Sequence, residues 1–269
     1  MAQTPYDHLS VGEIAAKSPS AAALLDRFNV DFCCHGKTVF PVACALAGHI
    51  PEEVAAELDK IHDTAEPGKP DFLSWPTDLL ADYVLKIHHR GIRREGPAII
   101  ALLNKVKSVH GEHHPELFEV ANLFEASFNA LSQHLIKEER VLFPYIYQLC
   151  AADLNNTSAP AFHCAGSVTA PVHMMEMEHA DEGERQARIE ELTSGFTTPA
   201  DGCASYKLLM EKLKAFRDAL HEHIHLENNI IFPRAIDIEG RRVEQKDSRV
   251  RERLQGLSLF TSLKGGTQK

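Results

Sequence analysis

HLIKEERVLFP, residues 134–144, and HIHLENNIIFP, residues 223–233, are two copies of one pattern. His134 and His223, Glu138 and Glu227, Phe143 and Phe232, and Pro144 and Pro233 are each separated by 89 residues. A lone histidine precedes each copy at nearly the same distance, His89 lying 45 residues before His134 and His179 lying 44 before His223. The chain thus contains two similar halves, each offering two histidines and a glutamate. On an α-helix, residues four apart differ by about 40° around the axis and about 6 Å along it. His134 with Glu138, and His223 with Glu227, therefore project from one stripe. Four helices can aim four imidazoles and two carboxylates at a common centre.

The neighbouring residues make those stripes apolar. Leu85, His89, Ile92, Ile99 and Leu103 share one face, and Leu131, His134, Glu138, Val141, Tyr145 and Leu149 share the next. Val172, Met175, His179, Gln186 and Ile189 form a third, and Leu209, Leu213, Phe216, Leu220, His223, Glu227 and Ile230 a fourth. No strand alternation interrupts them, so the fold class is all-α, with an up-down four-helix bundle over residues 72–238. Ahead of it, residues 1–65 read as a small helical domain with starts near Thr4-Pro5, Ser18-Pro19, Pro41 and Pro51. The segment DTAEPGKPDFLSWP, 63–76, reads as a linker. Because every ligand candidate of the repeat lies beyond it, the bundle is expected to fold and bind metal without the N-terminal part. Residues 239–269 read as an appended tail.

Composition narrows the function. Of 269 residues, 44% are hydrophobic and 25% charged, which describes an ordinary globular protein. The net charge of −10 disfavours nucleic acid or an anionic membrane as partner, since phosphate binding needs clustered Lys and Arg. No signal-like segment opens the chain and no run of 18 apolar residues occurs, so a cytoplasmic location is expected. Six cysteines are too few for a disulfide scaffold of this size and point to redox or metal chemistry.

A single histidine on an apolar stripe is usually a core residue, but six ionisable groups on converging stripes are different. Glutamate is almost never fully buried unless paired or coordinating. Imidazole with carboxylate and no thiolate suits iron, zinc, copper or manganese. Two carboxylates bridging two metals, each capped by two imidazoles, leave positions open for a small ligand, and iron is the first choice ahead of manganese or zinc. His88 lies about 100° around the helix from His89, so His89 is the expected ligand. His221 and His225 flank His223 by two residues and should point away from the centre into solvent. His110, His113 and His114 in VHGEHHPEL read as a surface or capping cluster.

The order of ligands separates families. Ferritin-like di-iron bundles use Glu-x-x-His, whereas this chain has His-x-x-x-Glu twice, an order that resembles hemerythrin. The oxygen-carrying hemerythrins add a histidine four residues after the third-helix ligand, where this chain has Gly183. Their last motif is His-x-x-x-x-Asp, where this chain has His223 and Glu227. Both departures favour a reactive, carboxylate-rich centre over a reversible carrier.

A second motif is DFCCHGK, residues 31–37. Adjacent cysteines do not form an unstrained disulfide, and the nearby Lys37 is expected to lower the thiol pKa, so Cys33 and Cys34 are candidates for a redox role. Together with LKIHHRGIRREGP, SQHLIKEERVLFP, MEMEHADEG and HEHIHLENNIIFPRA, this motif resembles the iron-sulfur cluster repair di-iron proteins, the RIC or ScdA/YtfE-like family, to about residue 238. The resemblance implies a hemerythrin-like domain whose His89, His134, Glu138, His179, His223 and Glu227 hold two iron ions in a non-haem centre, oxo- and carboxylate-bridged. It further implies a stress-response role, restoring clusters damaged by nitric oxide or oxidants. The centre would donate iron to damaged iron-sulfur proteins or a cluster scaffold, or handle nitric oxide or oxygen itself, with redox activity towards nitric oxide as its enzymatic form. A hemerythrin-like protein that binds or senses oxygen or nitric oxide is the competing reading; it has no use for Cys33 and Cys34. His35 stands where some relatives have glycine, the tail has no counterpart in the family, and the oligomeric state is left open.

Overall fold

Serine and proline set the short N-terminal helices. In a computed structural model that describes residues 4–61, 70–162 and 166–243, Ser10 caps α1, Val11–Lys17, through a reciprocal capping box with Glu13. Ser18 caps α2, Pro19–Arg27, while α3, Phe40–Leu46, and α4, Pro51–Leu58, carry proline in the first turn. The expected start at Thr4-Pro5 is instead a turn, closed by the Thr4 hydroxyl and amide on the Asp7 carboxylate at 2.6 and 3.2 Å. The assigned linker falls partly on 62–69 and the assigned tail mostly on 244–269, both outside the described residues.

Four long helices follow. α5 runs over Thr77–Tyr83, a π turn at Val84–His89, and Arg90–His110. α6 runs over Glu116–Lys137, a π turn at Glu138–Leu142, and Phe143–Leu154. α7 is the regular helix Thr169–Leu192. α8 runs over Ala204–Leu226 and a π turn at Glu227–Ile231, and stays helical through 232–243. α5 packs on α6 and α8, and α6 on α7, giving the up-down bundle. Among the described residues the only β pairing is an isolated bridge between Ser10 and Val39, and no described helix is long and apolar enough to cross a membrane.

The repeated Phe-Pro explains two of the π turns. The Phe143 amide donates to the Glu138 carbonyl and the Phe232 amide to the Glu227 carbonyl, five residues back in each case. Pro144 and Pro233 come next. Proline in a regular helix lacks an N–H and crowds the carbonyl four residues back, and a turn widened just ahead of it makes room for the ring. Such π turns concentrate at functional sites. The widening also advances the buried stripe by one position, so Val141, expected inside, is 37% exposed while Leu142 is 2% exposed.

Apolar packing falls into two clusters that flank the histidine and glutamate positions. One contains Leu80, Val84, Phe143, Val172 and Phe232. The other joins Val11, Ile14, Leu25 and Phe40 of the N-terminal helices to Ile99, Ile189, Leu220 and Ile224 of the bundle. The N-terminal helices therefore share a core with the bundle, and α1 packs on the π turn of α8. The self-contained bundle expected from the linker is not what the packing shows.

Candidate metal centre

Three of the four ligand-bearing helices change to π geometry at the centre itself: His89 ends one π turn, and Glu138 and Glu227 begin the other two. The side chains converge as two quartets, His89, Glu138, His223 and Glu227, and His134, Glu138, His179 and Glu227. Within each quartet the candidate ligand atoms lie within 4.8 Å of one another, and all six residues are buried. Both quartets use the same two glutamates. Glu227 sets Oε1 3.0 Å from His223 Nε2 and Oε2 3.2 Å from His179 Nε2. Glu138 sets Oε1 3.3 Å from His134 Nε2 and Oε2 3.4 Å from His89 Nε2. Each carboxylate thus faces both quartets, one oxygen to each.

The far nitrogens of three rings are committed elsewhere. His89 Nδ1 lies 2.8 Å from Glu139, which Arg93 holds with two contacts. His134 Nδ1 lies 2.9 Å from Glu178, itself paired with Lys137. His179 Nδ1 lies 2.8 Å from the Asn228 side-chain oxygen. Such outer partners fix the tautomer and aim Nε2 inward. The Nε2 atoms of His134 and His179 are 3.0 Å apart, so they must share either a proton or a cation. His89 Nε2, both nitrogens of His223 and all four oxygens of Glu138 and Glu227 are buried without a hydrogen bond of proper geometry. Leaving such atoms unpaired is costly, and a bound cation is the kind of occupant that would satisfy the Nε2 atoms and carboxylate oxygens together.

Without metal, the charges balance through protons. Burial and the neighbouring Glu227 oppose ionisation of Glu138, yet the histidines around it bring its pKa down to about 2. Glu227 is also held well below the usual carboxylate range against burial, by His223 and His179. In return, Glu138 and Glu227 overcome burial and raise His89 to about 9, and chiefly Glu138 raises His134 to about 10. His223 stays neutral because burial pushes it down to about 4.

Residues 80–235 match the hemerythrin HHE cation binding domain, and residues 8–62 match ScdA_N, described as a domain of unknown function. The chain is 36% identical to the iron-sulfur cluster repair protein YtfE of Pectobacterium atrosepticum, covering 86% of this chain and 98% of that one. It is 32% identical to a probable iron-sulfur cluster repair protein of Haemophilus influenzae, over 84% and 96% of the two chains, and 30% identical to YtfE of Escherichia coli O17:K52:H18, over 86% and 98%. The chain belongs to the iron-sulfur cluster repair protein family.

In this family member the cysteine motif lies on the centre. The Cys34 thiol donates to the His179 carbonyl at 3.3 Å, and a side chain at Gly183 would bring its Cβ within 2.5 Å of Cys34 Sγ. The position where carriers place a fifth histidine is thus glycine, and the thiol fills the space. The two thiols stand 3.6 Å apart, within hydrogen-bonding reach and not joined as a disulfide. The expectation that Lys37 lowers a thiol pKa is overturned for Cys33: contact with Cys34 and burial push it well up, while Lys37 pairs with Glu176 at 2.7 Å.

The other histidines divide. His88 turns to Glu222 at 3.2 Å, outside both quartets. His225 is not solvated as expected: it is buried, meets the Phe32 ring edge-on at 5.3 Å, and burial lowers its pKa to about 4. His221 is half-buried beside Asp26. His114 binds Glu116 and Asp201 at the surface, as a capping cluster would. Sequence reading missed Glu139, Glu178 and Asn228. Each is the chain neighbour of a quartet residue on one helix and supports a histidine of another, a signal that the repeat did contain.

Proposed function

We propose that this protein holds two iron ions, one between His89 and His223 and one between His134 and His179, with Glu138 and Glu227 shared by both. The observation that carries the reading is the overlap of two buried quartets on the same two glutamates. When bound, such a pair supplies redox and Lewis-acid chemistry and is a store of the metal that a damaged cluster has lost. The chain's own residues orient the rings through Glu139, Glu178 and Asn228 and keep water from the glutamates, both fully buried.

We infer that the centre serves the repair of iron-sulfur clusters by donating iron to damaged cluster proteins or their scaffold, with nitric oxide or oxygen as small ligands, in the cytoplasm. The relatives' names supply the direction of this reading. Cys34 in place of a fifth imidazole supports repair over reversible oxygen carriage, the competing function. A small N-terminal domain over 1–65, a di-iron bundle over 72–238 and a tail over 239–269 remain our proposed organisation, with the first two joined by a shared core.

Iron content tests the ligand set. His89→Ala should reduce the roughly two irons per chain to one or none, whereas His88→Ala should keep both, because a ligand loss removes far more affinity than a neighbour does. Two irons in His89→Ala would end the assignment.

Metal uptake should also release protons. His89 and His134, raised to about 9 and about 10, carry protons in the metal-free fold at neutral pH. Their stabilisation of that fold is fully present below about pH 6.5, their unfolded value, and is lost as pH rises through about 9 to 10. Both carboxylates are already ionised and release none. Titration calorimetry in buffers of different ionisation enthalpy should therefore show about two protons leaving per chain at pH 7. A value near zero would contradict this charge balance.

A further inference from the structure

The two metal positions are not equivalent. His89 and His223 have no exposed surface. His134 and His179 are nearly as buried, at 3% and 1% exposed, but they line a cavity of about 250 Å³ together with Glu178 and Asp181. The supports differ as well. Glu139 and Glu178 are held by Arg93 and Lys137, both on bundle helices. The support of His179 depends on the N-terminal part. Asn228 accepts from His179 Nδ1 with its oxygen and donates its amide to the Cys33 carbonyl at 3.0 Å. Rotating the amide would lose both bonds, so its orientation is set from both sides.

The same turn holds His179 at a second point, through the Cys34 thiol on its carbonyl. Next along, Asn229 donates to the Phe32 carbonyl at 2.9 Å, and Lys37 pairs with Glu176. Segment 32–37 thus touches α7 and the π turn of α8 at four points. Behind it lies a cavity of about 170 Å³, lined by Asp31, Cys33, Cys34 and Gly183, among others, which leaves space for the turn to shift.

We propose that the metal held by His134 and His179 is the exchangeable one of the two, and that the Cys33–Cys34 turn, acting through Asn228, is the clamp that governs its release. While the turn is seated, Asn228 keeps the His179 ring aimed at the metal. When it lifts, Asn228 loses its anchor, the ring can rotate, and the ion leaves through the cavity beside His134. Neither His89 nor His223 bonds to the turn, so the position they hold keeps its ion. The proposal rests on the iron-donor reading above and says which ion is given up and what holds it back.

Gly183 offers a clean probe. Alanine is the better helix former, touches no ligand, and places a methyl 2.5 Å from Cys34 Sγ, too close for the thiol to stay where it is. The full-length chain, loaded anaerobically with ferrous iron, is challenged with excess ferrous chelator and release is followed by absorbance. Wild type should lose iron in two steps of one ion each. Gly183→Ala and Asn228→Ala should each speed the fast step roughly tenfold, the usual effect of disturbing an outer partner of a metal ligand, and leave the slow step unchanged. His134→Ala should bind one ion that leaves at the slow rate. Release of both ions from wild type in one step, equal acceleration of both steps, or no acceleration in either Gly183→Ala or Asn228→Ala would overturn the proposal, as would a fast-leaving ion in His134→Ala. If release follows the expected pattern but the freed iron never reaches a cluster-deficient acceptor, the donor reading fails and the clamp stands.

Discussion

Glu227→Gln should reduce bound iron from about two per chain to one or none, the largest effect expected of any single substitution here. Apparent binding energies of about 10–16 kcal/mol for a four-ligand site give each ligand about 3 kcal/mol, or about two decades of affinity. Glu227 serves both quartets, facing His223 with one oxygen and His179 with the other. The loss is therefore taken twice. Glutamine keeps the volume of the side chain, so circular dichroism should still report a helical chain while elemental analysis after anaerobic loading reports the missing metal. Glu138→Gln should behave alike, since it faces His89 and His134 in the same way. By contrast Glu139→Gln, which disturbs His89 alone, should weaken one position by roughly ten- to a hundredfold. Two irons retained in both Glu138→Gln and Glu227→Gln would remove the shared-carboxylate arrangement altogether.

The convergence of the six side chains is legible in the sequence because helical spacing is a property of each segment by itself. A repeat at constant offset, with histidine and glutamate on apolar stripes, brings the six residues together whatever surrounds the bundle. Periodicity is weaker where the helix stops being regular. A 3.6-residue period places Val141 inside, and the π turn at Glu138–Leu142 puts Leu142 there instead. Pro144 was the available sign, since a proline inside a helix demands some departure from the ladder. His225 shows a second kind of loss. Its spacing from His223 correctly turns it away from the centre, but spacing along one helix cannot say what lies on the other side, which is Phe32 rather than water. The lowered pKa expected for Cys33 fails for the same reason. Lys37 is near in sequence, but the fold gives it to Glu176 and buries the thiol.

Removing residues 1–61 should cost the bundle both stability and metal, against the independence that the linker suggests. The proline-rich segment breaks the helical pattern of the sequence, yet such a break does not mark where packing ends. Val11, Ile14, Leu25 and Phe40 belong to the same buried cluster as Leu220 and Ile224. Without the N-terminal helices, bundle side chains in that cluster would meet water at roughly 1.5–3 kcal/mol for each one fully exposed. Two or three such losses amount to a large part of the 5–15 kcal/mol that holds a typical domain folded. The polar contacts compound the loss, since Asn228 and Asn229 surrender their bonds to the Cys33 and Phe32 carbonyls and His225 loses its aromatic cover. The shortened chain, residues 62–269, should therefore unfold at a melting temperature lower by ten degrees or more, taking roughly 2–4 °C per kcal/mol for a domain of this size. It should also give up one iron per chain on desalting while the full chain keeps both, because the support of His179 goes with the turn. Thermal denaturation with metal analysis on the same samples decides the matter. An unchanged melting temperature and two retained irons would show that the shared core contributes little and that the bundle is self-contained after all.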